Sequence, residues 1–403
     1  MGRQHRKHGA RARLGVIPVV AAVGLLGALG VATPQAGAQT ASISKSELAK
    51  LKTIVADAKK APKWVAPGPA VNGTAALKGK TIVTFPISSN IDACNTKGQQ
   101  GYFQAEAEKL GAKVISLPTA NPGGPPTWIS NLNQAVNDRA SAVVMLCGPT
   151  AAAISNELST VQSHHIPVVD GNYNQTGGSK AFPLTGLSAE SGVDTNGGIT
   201  DDLADALVNL KGKPAHVLFL DSTDVAQDQG AANTLKADIN KWCPGTCTVT
   251  NTGPFTSADW ATKEQSPIAT ALQGNANINT VIVTFDGMSD DIISDVEAAQ
   301  KSHPGLKIYA WGGGIAEIHD VNSNPVFAAD AGPDERWDAY NQLDQVIRLL
   351  SGKKAEPVAK EIAPNMFFTK SNAATFYNGN NYSDKAYSNG AFIKDFQRLW
   401  EVG

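Results

Sequence analysis

Short apolar stretches alternate with longer amphipathic stretches along most of the chain. Residues 81–87, 113–117 and 142–147 are apolar and rich in β-branched side chains, whereas residues 99–110 and 128–138 have the spacing of helices. Stretches that are apolar at every position are typical of parallel strands buried on both faces. The pattern predicts repeated strand–helix units and therefore an α/β fold.

The same pattern restarts after Gly171, which follows a predicted helix over 151–163 and a strand over 167–170. A predicted helix over 194–210 begins the second set. The strands of this set are predicted at 215–220, 246–252, 280–284 and 307–311, and helices at 229–242, 266–274 and 290–301 separate them. Two successive sets predict two doubly wound parallel-sheet lobes.

The N-terminus has the order of a secretory signal, with basic residues before an apolar segment over 14–31 and small residues at Ala36-Gly37-Ala38. We expect residues 1–38 to be a signal peptide and the mature chain to begin near Gln39 in the periplasm or cell envelope. A retained membrane anchor is the alternative, because the apolar segment is about long enough to span a bilayer. Residues 39–79 are predicted to form a charged helix and a linker rich in proline and glycine.

Composition narrows the class of protein. The chain has 403 residues and a net charge of -2. After removal of the signal, about 365 residues remain, which is enough for two domains. The balanced charge lacks the basic patch that nucleic-acid binding requires, so we expect no nucleic-acid partner.

The four cysteines are predicted to form two disulfides, because an exported protein meets an oxidising compartment. Cys243 and Cys247 flank a Pro-Gly turn, and the pairing leaves Cys94 with Cys147. Four free thiols are the alternative.

Polar and aromatic residues follow the predicted strands, at the sheet edge where ligands of doubly wound folds bind. Amides, carboxylates and rings suit a polyhydroxylated ligand, since hydroxyls both donate and accept while sugar C–H faces stack on rings. Turns and helix caps use the same polar residues, so the recurrence at successive strands carries the prediction.

These features resemble the type I periplasmic binding proteins, in particular their ribose-binding branch. The resemblance extends from Lys80 to about Lys353, and its anchors are Gly79–Val83, Glu106–Gly111, Ile166–Val169, Ala226–Gly230 and Val281–Asp286. It implies a multi-strand hinge with crossings near 187, 331 and 361. Lobe 1 is then 80–186 plus 332–360, and lobe 2 is 187–331 plus 361–403, with a C-terminal extension packed over lobe 2.

The resemblance also implies a set of ligand-binding positions. They are Asn90, Asp92, Asn172, Tyr173, Gln227, Trp260, Phe285, Asp286, Trp311 and Asp330. The family's Asp-Arg pair falls on Asn172 and Tyr173, and another of its arginines falls on Gln227. Losing these charges weakens a ribose-like fit, because each charge-assisted hydrogen bond contributes about 1.5–3 kcal/mol. A different sugar, a polyol or a less polar ligand is therefore expected. For each aromatic residue, core packing is the alternative.

The resemblance implies a monomeric ABC-transporter substrate-binding protein that delivers its solute to a membrane permease by hinge closure. A sensory protein that presents its closed form to a membrane receptor is the alternative. An enzyme is not expected, because the chain lacks a Gly-x-Ser-x-Gly elbow, a His-Glu-x-x-His motif and a phosphate loop. We expect no cofactor, metal site or catalytic residue.

Overall fold

The computed structural model describes residues 42–86, 99–119, 125–146, 149, 151–171, 186–223, 226–253, 255–256, 259–378, 381–382 and 385–402. In chain order, the strands are β1 Thr81–Phe85, β2 Lys113–Ser116, β3 Ala142–Leu146, β4 Val168–Gly171, β5 Ala189–Glu190, β6 Gly192–Val193, β7 His216–Leu220, β8 Thr248–Asn251, β9 Thr280–Val283, β10 Lys307–Trp311, β11 Phe327–Gly332, β12 Ile362–Ala363, β13 Met366–Thr369, β14 Tyr377–Asn378 and β15 Asn381–Tyr382.

Helices connect these strands. They are α1 Lys45–Ala58, α2 Gly73–Leu77, α3 Gln99–Lys109, α4 Pro125–Asn137, α5 Ser155–Ser163, α6 Thr195–Asn209, α7 Ala226–Trp242, α8 Trp260–Lys263, α9 Gln265–Gly274, α10 Gly287–Ala299, α11 Ile315–Ser323, α12 Glu335–Leu350, α13 Ala373–Phe376 and α14 Ala391–Leu399. Short 3₁₀ turns cover Ala151–Ile154, Val358–Lys360 and Ser388–Gly390.

Two separate sheets organise the molecule. The first has the order β2-β1-β3-β4-β5, and every pairing in it is parallel. The second has the order β13-β11-β10-β9-β7-β8 and is parallel except for β13, which pairs antiparallel to β11. The predicted α/β class with two parallel-sheet lobes is confirmed.

The sheets are covered on both faces, as their continuous apolar strands predict. In β1, Ile82 packs into one hydrophobic cluster, whereas the next residue, Val83, packs into a second cluster with Trp128 and Leu158 from α4 and α5. Successive side chains of a strand point to opposite faces, so one strand contributes to two cores. The loops that follow these buried strands carry polar residues, and they lie together at one edge of the sheet.

The chain passes between the two sheets several times. It leaves the first sheet after β5, returns after β11 to form α12 against β4 and α3, and enters the second sheet again between β12 and β13. Strand β6 pairs with β12, so two of these passages lie side by side. These passages fit a multi-strand hinge, while the residue limits given above for the lobes stay a prediction.

The C-terminal tail was expected to pack over lobe 2, but it contacts both lobes. Strand β13 joins the second sheet, but α14 packs on α12 of the first lobe. The ring of Phe392 stacks on Trp337 at 4.6 Å between centroids, and the Trp400 indole donates to Asp344 at 2.7 Å. Phe392, Phe396 and Trp400 are spaced four residues apart, so they form one helix face that needs an apolar partner.

The N-terminal extension also contacts both lobes. Helix α1 packs on α6, which covers the second sheet, and buries Leu51 and Val55. The predicted linker contains the short helix α2, and Gly73 at its start donates to the Trp400 carbonyl at 2.8 Å. In the described part of the chain, no helix is long and apolar enough to cross a membrane. The predicted signal segment, 1–38, lies outside the described residues.

One predicted disulfide can be examined. Cys243 and Cys247 are bonded, with their Cα atoms 5.6 Å apart across the Pro-Gly turn. The other predicted pair, Cys94 with Cys147, lies outside the described residues.

Candidate functional site

Asp286 links two loops at the edge where the strands of the second sheet end. Its carboxylate accepts hydrogen bonds from the Gly287 amide at 2.8 Å and from the Gly314 amide at 2.6 Å. Its own amide donates to the Trp311 carbonyl at 2.8 Å. Asp286 is buried, so its orientation is fixed by backbone groups of β10 and α10. A fixed carboxylate of this kind can accept a hydroxyl hydrogen bond without reorganising.

The glycine loop after β10 allows this close packing. A Cβ atom on Gly312 would lie 2.1 Å from the Asp286 carboxylate carbon, and one on Gly332 would lie 2.3 Å from the Gly312 carbonyl carbon. Gly313 has a φ of +76°, a conformation that side chains rarely adopt. The glycines at 312–314 therefore allow the backbone after β10 to lie close to the backbone of β11.

Asp330 lies on β11 behind this loop and is fully buried. One of its oxygens accepts from the Gly313 amide at 3.3 Å, and Oδ2 has no hydrogen-bond partner among the described residues. Burial raises the pKa of Asp330 well above its ordinary value, and the carboxylates of Asp286, Glu317 and Asp202 raise it further. Asp330 therefore favours its protonated form, which can donate a hydrogen bond as well as accept one.

Trp260 and Phe285 form a stacked pair at the same edge. Their ring centroids lie 5.4 Å apart, and the ring planes differ by 23°. Trp260 begins α8 and is 9% exposed, and its indole N–H has no partner among the described residues. Both rings are among the predicted ligand-binding residues, and they are in contact in the structure. The pair offers an apolar face beside an indole donor, which suits a ligand with both C–H and hydroxyl groups.

Buried polar side chains also lie at the start of α7. Gln227 is 2% exposed, and its Oε1 has no partner among the described residues. The Asp228 carboxylate accepts from the Ser222 amide at 2.9 Å and from the Ser222 hydroxyl. Burial raises the pKa of Asp228 to about 7. Burial, with the nearby carboxylates of Asp291 and Asp228, raises the pKa of Glu264 to about 8.

Asp228, Ser222 and Glu264 were not selected from the sequence. Asp228 adjoins Gln227 within the Ala226–Gly230 motif, so its position carried a signal. Glu264 carried none, because a glutamate between two short helices resembles any solvated residue. Its burial depends on the packing of α8 and α9 against α10, which only the tertiary structure establishes.

Trp311 is placed differently from Trp260. Its indole donates to the Asn365 side chain at 3.3 Å, and the Asn365 amide donates to the Asp194 carbonyl at 2.6 Å. A Cβ on Gly198 of α6 would lie 2.1 Å from the Trp311 ring. The ring therefore packs between α6 and the passage near β12, which agrees with the core-packing alternative for this residue.

The first lobe's predicted ligand-binding residues lie outside the described residues. They are Asn90, Asp92, Asn172 and Tyr173. The described end of β4 and the following β5 contribute two buried carboxylates, Asp170 and Glu190. The described part of the candidate site is therefore the edge of the second sheet with Gln227, Trp260, Phe285, Asp286 and Asp330.

Comparison with known proteins gives a clear answer only for the fold. No family model matches the sequence, and no curated protein matches it. Solved structures do match. A sugar ABC transporter protein from Yersinia enterocolitica is similar with a TM-score of 0.63 and 14% identity, over 84% of this chain and 97% of that chain.

Two further solved structures show the same similarity. A 5-methylthioribose transporter solute-binding protein from Thermotoga lettingae, in complex with 5-methylthioribose, has a TM-score of 0.62 and 15% identity over 81% of this chain and 98% of that one. An ABC transporter solute-binding protein from Mycobacterium smegmatis with bound glycerol has a TM-score of 0.60 and 14% identity over 75% and 99%.

The chain has the type I periplasmic binding protein fold. Identities of 14–15% establish this architecture and leave the ligand to be argued from the residues of this chain. The edge described above lies at the carboxyl ends of parallel strands, where ligands of doubly wound folds bind.

Proposed function

We propose that the chain is an extracytoplasmic solute-binding protein of an ABC importer that closes two lobes around a small polyhydroxylated solute. The observation that carries the proposal is the Trp260–Phe285 stack at the strand ends of the second sheet, where Phe285 is followed in the chain by Asp286 with its fixed carboxylate. An apolar ring face and an oriented acceptor together match the two surfaces of a sugar or polyol.

The solved structures with this fold support the same class of ligand. The protein from Mycobacterium smegmatis holds glycerol, and the one from Thermotoga lettingae holds 5-methylthioribose. In this chain, the described strand ends provide carboxylates and amides, with Gln227 where the family has an arginine. A neutral ligand with several hydroxyl groups fits these groups, because hydroxyls can both donate to and accept from carboxyl and amide groups.

Lobe closure would follow from differential contact. A ligand that touches both lobes binds the closed arrangement more tightly than the open one, so its addition raises the closed population. The closed form would then be recognised by a membrane permease in the cell envelope. The N-terminal signal-like segment supports export, and the buried polar groups at the strand ends, together with the balanced net charge, support a small-molecule ligand and no nucleic acid.

The test is a thermal-shift screen of the purified chain against glycerol, pentoses, hexoses, inositols and 5-methylthioribose at millimolar concentration. A ligand that binds only the folded state raises the melting temperature. We expect one polyol or sugar to raise it, and we expect Trp260→Ala to abolish the rise while Trp260→Phe retains part of it. Gln227→Ala should weaken binding, while the exposed neighbour Gln229→Ala serves as the matched control.

A less polar ligand is the second candidate, and the aromatic stack favours it. If hydroxyl-rich solutes cause no shift while solutes with an apolar or aromatic group do, the stack dominates recognition and the polyol proposal is wrong. Equal shifts in wild type and Trp260→Ala would place binding elsewhere in the molecule.

A further inference from the structure

A cavity of about 640 Å³ lies at the opposite edge of the second sheet, where β9 and β10 begin. The candidate solute site lies where these strands end, so the two locations are separated by the length of the sheet. Its walls come from α6, from the starts of β9 and β10, from the residues after β13 and from the end of the N-terminal extension. A volume of this size is sufficient for a small metabolite.

Three lysines from three separate segments line this cavity. Lys59 ends α1, Lys307 begins β10, and Lys370 follows β13. Across the described parts of the chain, none of them forms a salt bridge with a carboxylate. Burial lowers the pKa of Lys307, and the charge of Lys370 lowers it further. Lys59 interacts electrostatically with the lining carboxylate of Asp205, and Lys307 donates to the Pro325 carbonyl at 2.5 Å. Three ammonium groups therefore face one carboxylate, and a bound anion would reduce the repulsion among the excess positive charges.

The hydroxyl group of the buried Tyr309 completes the wall of the cavity. The Asn209 amide donates to the Asp205 carboxylate at 2.7 Å and to the Tyr309 hydroxyl oxygen at 3.0 Å. Tyr309 is only 2% exposed, and burial raises its pKa, so the hydroxyl keeps its proton. Because its oxygen already accepts from Asn209, the hydroxyl hydrogen is available for an acceptor in the cavity.

We propose that this cavity binds a small, multiply charged oxyanion, either a phosphate or a polycarboxylate, through Lys59, Lys307, Lys370 and the Tyr309 hydroxyl. Asp205 is the one carboxylate among the described lining residues, so the lysines outnumber the acids. Oxyanions present several acceptors to ammonium and hydroxyl donors, and charge-assisted hydrogen bonds of this kind are the strong ones. This site is independent of the solute proposed for the cleft.

Calorimetric titration tests the site with two probes, inorganic phosphate and citrate, each at constant ionic strength balanced with sodium chloride. We expect the wild-type chain to bind at least one of them. The double variant Lys307→Gln with Lys370→Gln should bind at least tenfold more weakly. Lys52→Gln removes one charge from an exposed position on α1 and should leave the affinity unchanged.

Tyr309→Phe distinguishes specific binding in the cavity from nonspecific attraction to surface charge, since it leaves every lysine in place. Loss of one hydrogen bond to a charged group should weaken binding roughly tenfold. Circular dichroism and the melting temperature in chloride confirm that each variant is folded. Binding that is equal in wild type, the double lysine variant and Tyr309→Phe would mean adventitious ion association and would overturn the proposal, as would no binding of either probe to folded wild type. Trp260→Ala should retain oxyanion binding, because the cleft takes no part in it.

Discussion

Glu264 should make the stability of the protein fall as pH rises through neutrality. Its side chain is fully buried, and neither carboxylate oxygen has a hydrogen-bond partner among the described residues. Burial, with the carboxylates of Asp291 and Asp228, raises its pKa from 4.5 to about 8. The folded protein therefore holds a proton that the unfolded chain releases. The contribution of Glu264 to stability is greatest below pH 4.5 and is lost progressively until the folded carboxyl ionises near pH 8.

The size of the effect follows from the shift. One pKa unit corresponds to about 1.4 kcal/mol, so the full shift corresponds to about 5 kcal/mol of stability lost above pH 8. At pH 7, where only the unfolded chain has ionised, the loss is about 3 kcal/mol. Replacing Glu264 by glutamine removes the titration while keeping the shape of the side chain. The unpaired amide costs about 1–3 kcal/mol at every pH, so the pH dependence is the informative quantity.

Urea unfolding at pH 5, 6, 7, 8 and 9 measures this dependence through the free energy of unfolding. Wild type should lose stability relative to Glu264→Gln between pH 5 and 8, by about 3–4 kcal/mol in total. Glu108→Gln, at an exposed position on α3, is the matched control and should follow wild type at every pH. A constant difference between wild type and Glu264→Gln across this range would show that Glu264 is ionised in the folded state and refute the reasoning.

Two further predictions concern the covalent link and the glycine packing. Replacing Cys243 and Cys247 together by serine should lower the free energy of unfolding by about 2 kcal/mol in urea titrations, because the bond closes only a short loop; no change would show that the link adds nothing. Gly332→Ala should destabilise by more than about 3 kcal/mol, since its Cβ would lie 2.3 Å from Gly312 backbone atoms. Gly274→Ala, where no atom lies within 4 Å, should leave the melting temperature unchanged or slightly higher.

Most strands and helices up to Trp311 were predictable because their apolar positions repeat with strand or helix period, whereas the short elements β5, β6 and α8 were not predicted. Observed β10, Lys307–Trp311, coincides with its prediction, and α6 differs from its predicted range by one residue at each end. The tail was harder to place. Its aromatic residues indicate that it must pack against something, but the same stripe on α14 would fit either lobe, and the choice depends on the apolar face of α12 that α14 covers.

The candidate site, like the fold, was predictable only in part. The order of strands predicted that Phe285, Asp286 and Trp311 would lie at one sheet edge, because parallel strands end on the same side. The resemblance to the binding proteins added Gln227 and Trp260. Trp260 stacks on Phe285 at this edge, whereas Trp311 packs against α6. Whether these residues bind a ligand stays a prediction.

The sequence by itself determined the α/β class, the two sets of strand–helix units and the edge that carries the polar residues, because side-chain periodicity and chain order are local properties. Only the tertiary structure decided which charged groups are buried. Glu264 and Lys307 have ordinary sequence surroundings, and their altered pKa values arise from neighbours distant along the chain. Burial and convergence of charge depend on how helices pack on a sheet, and no stretch of sequence contains that information.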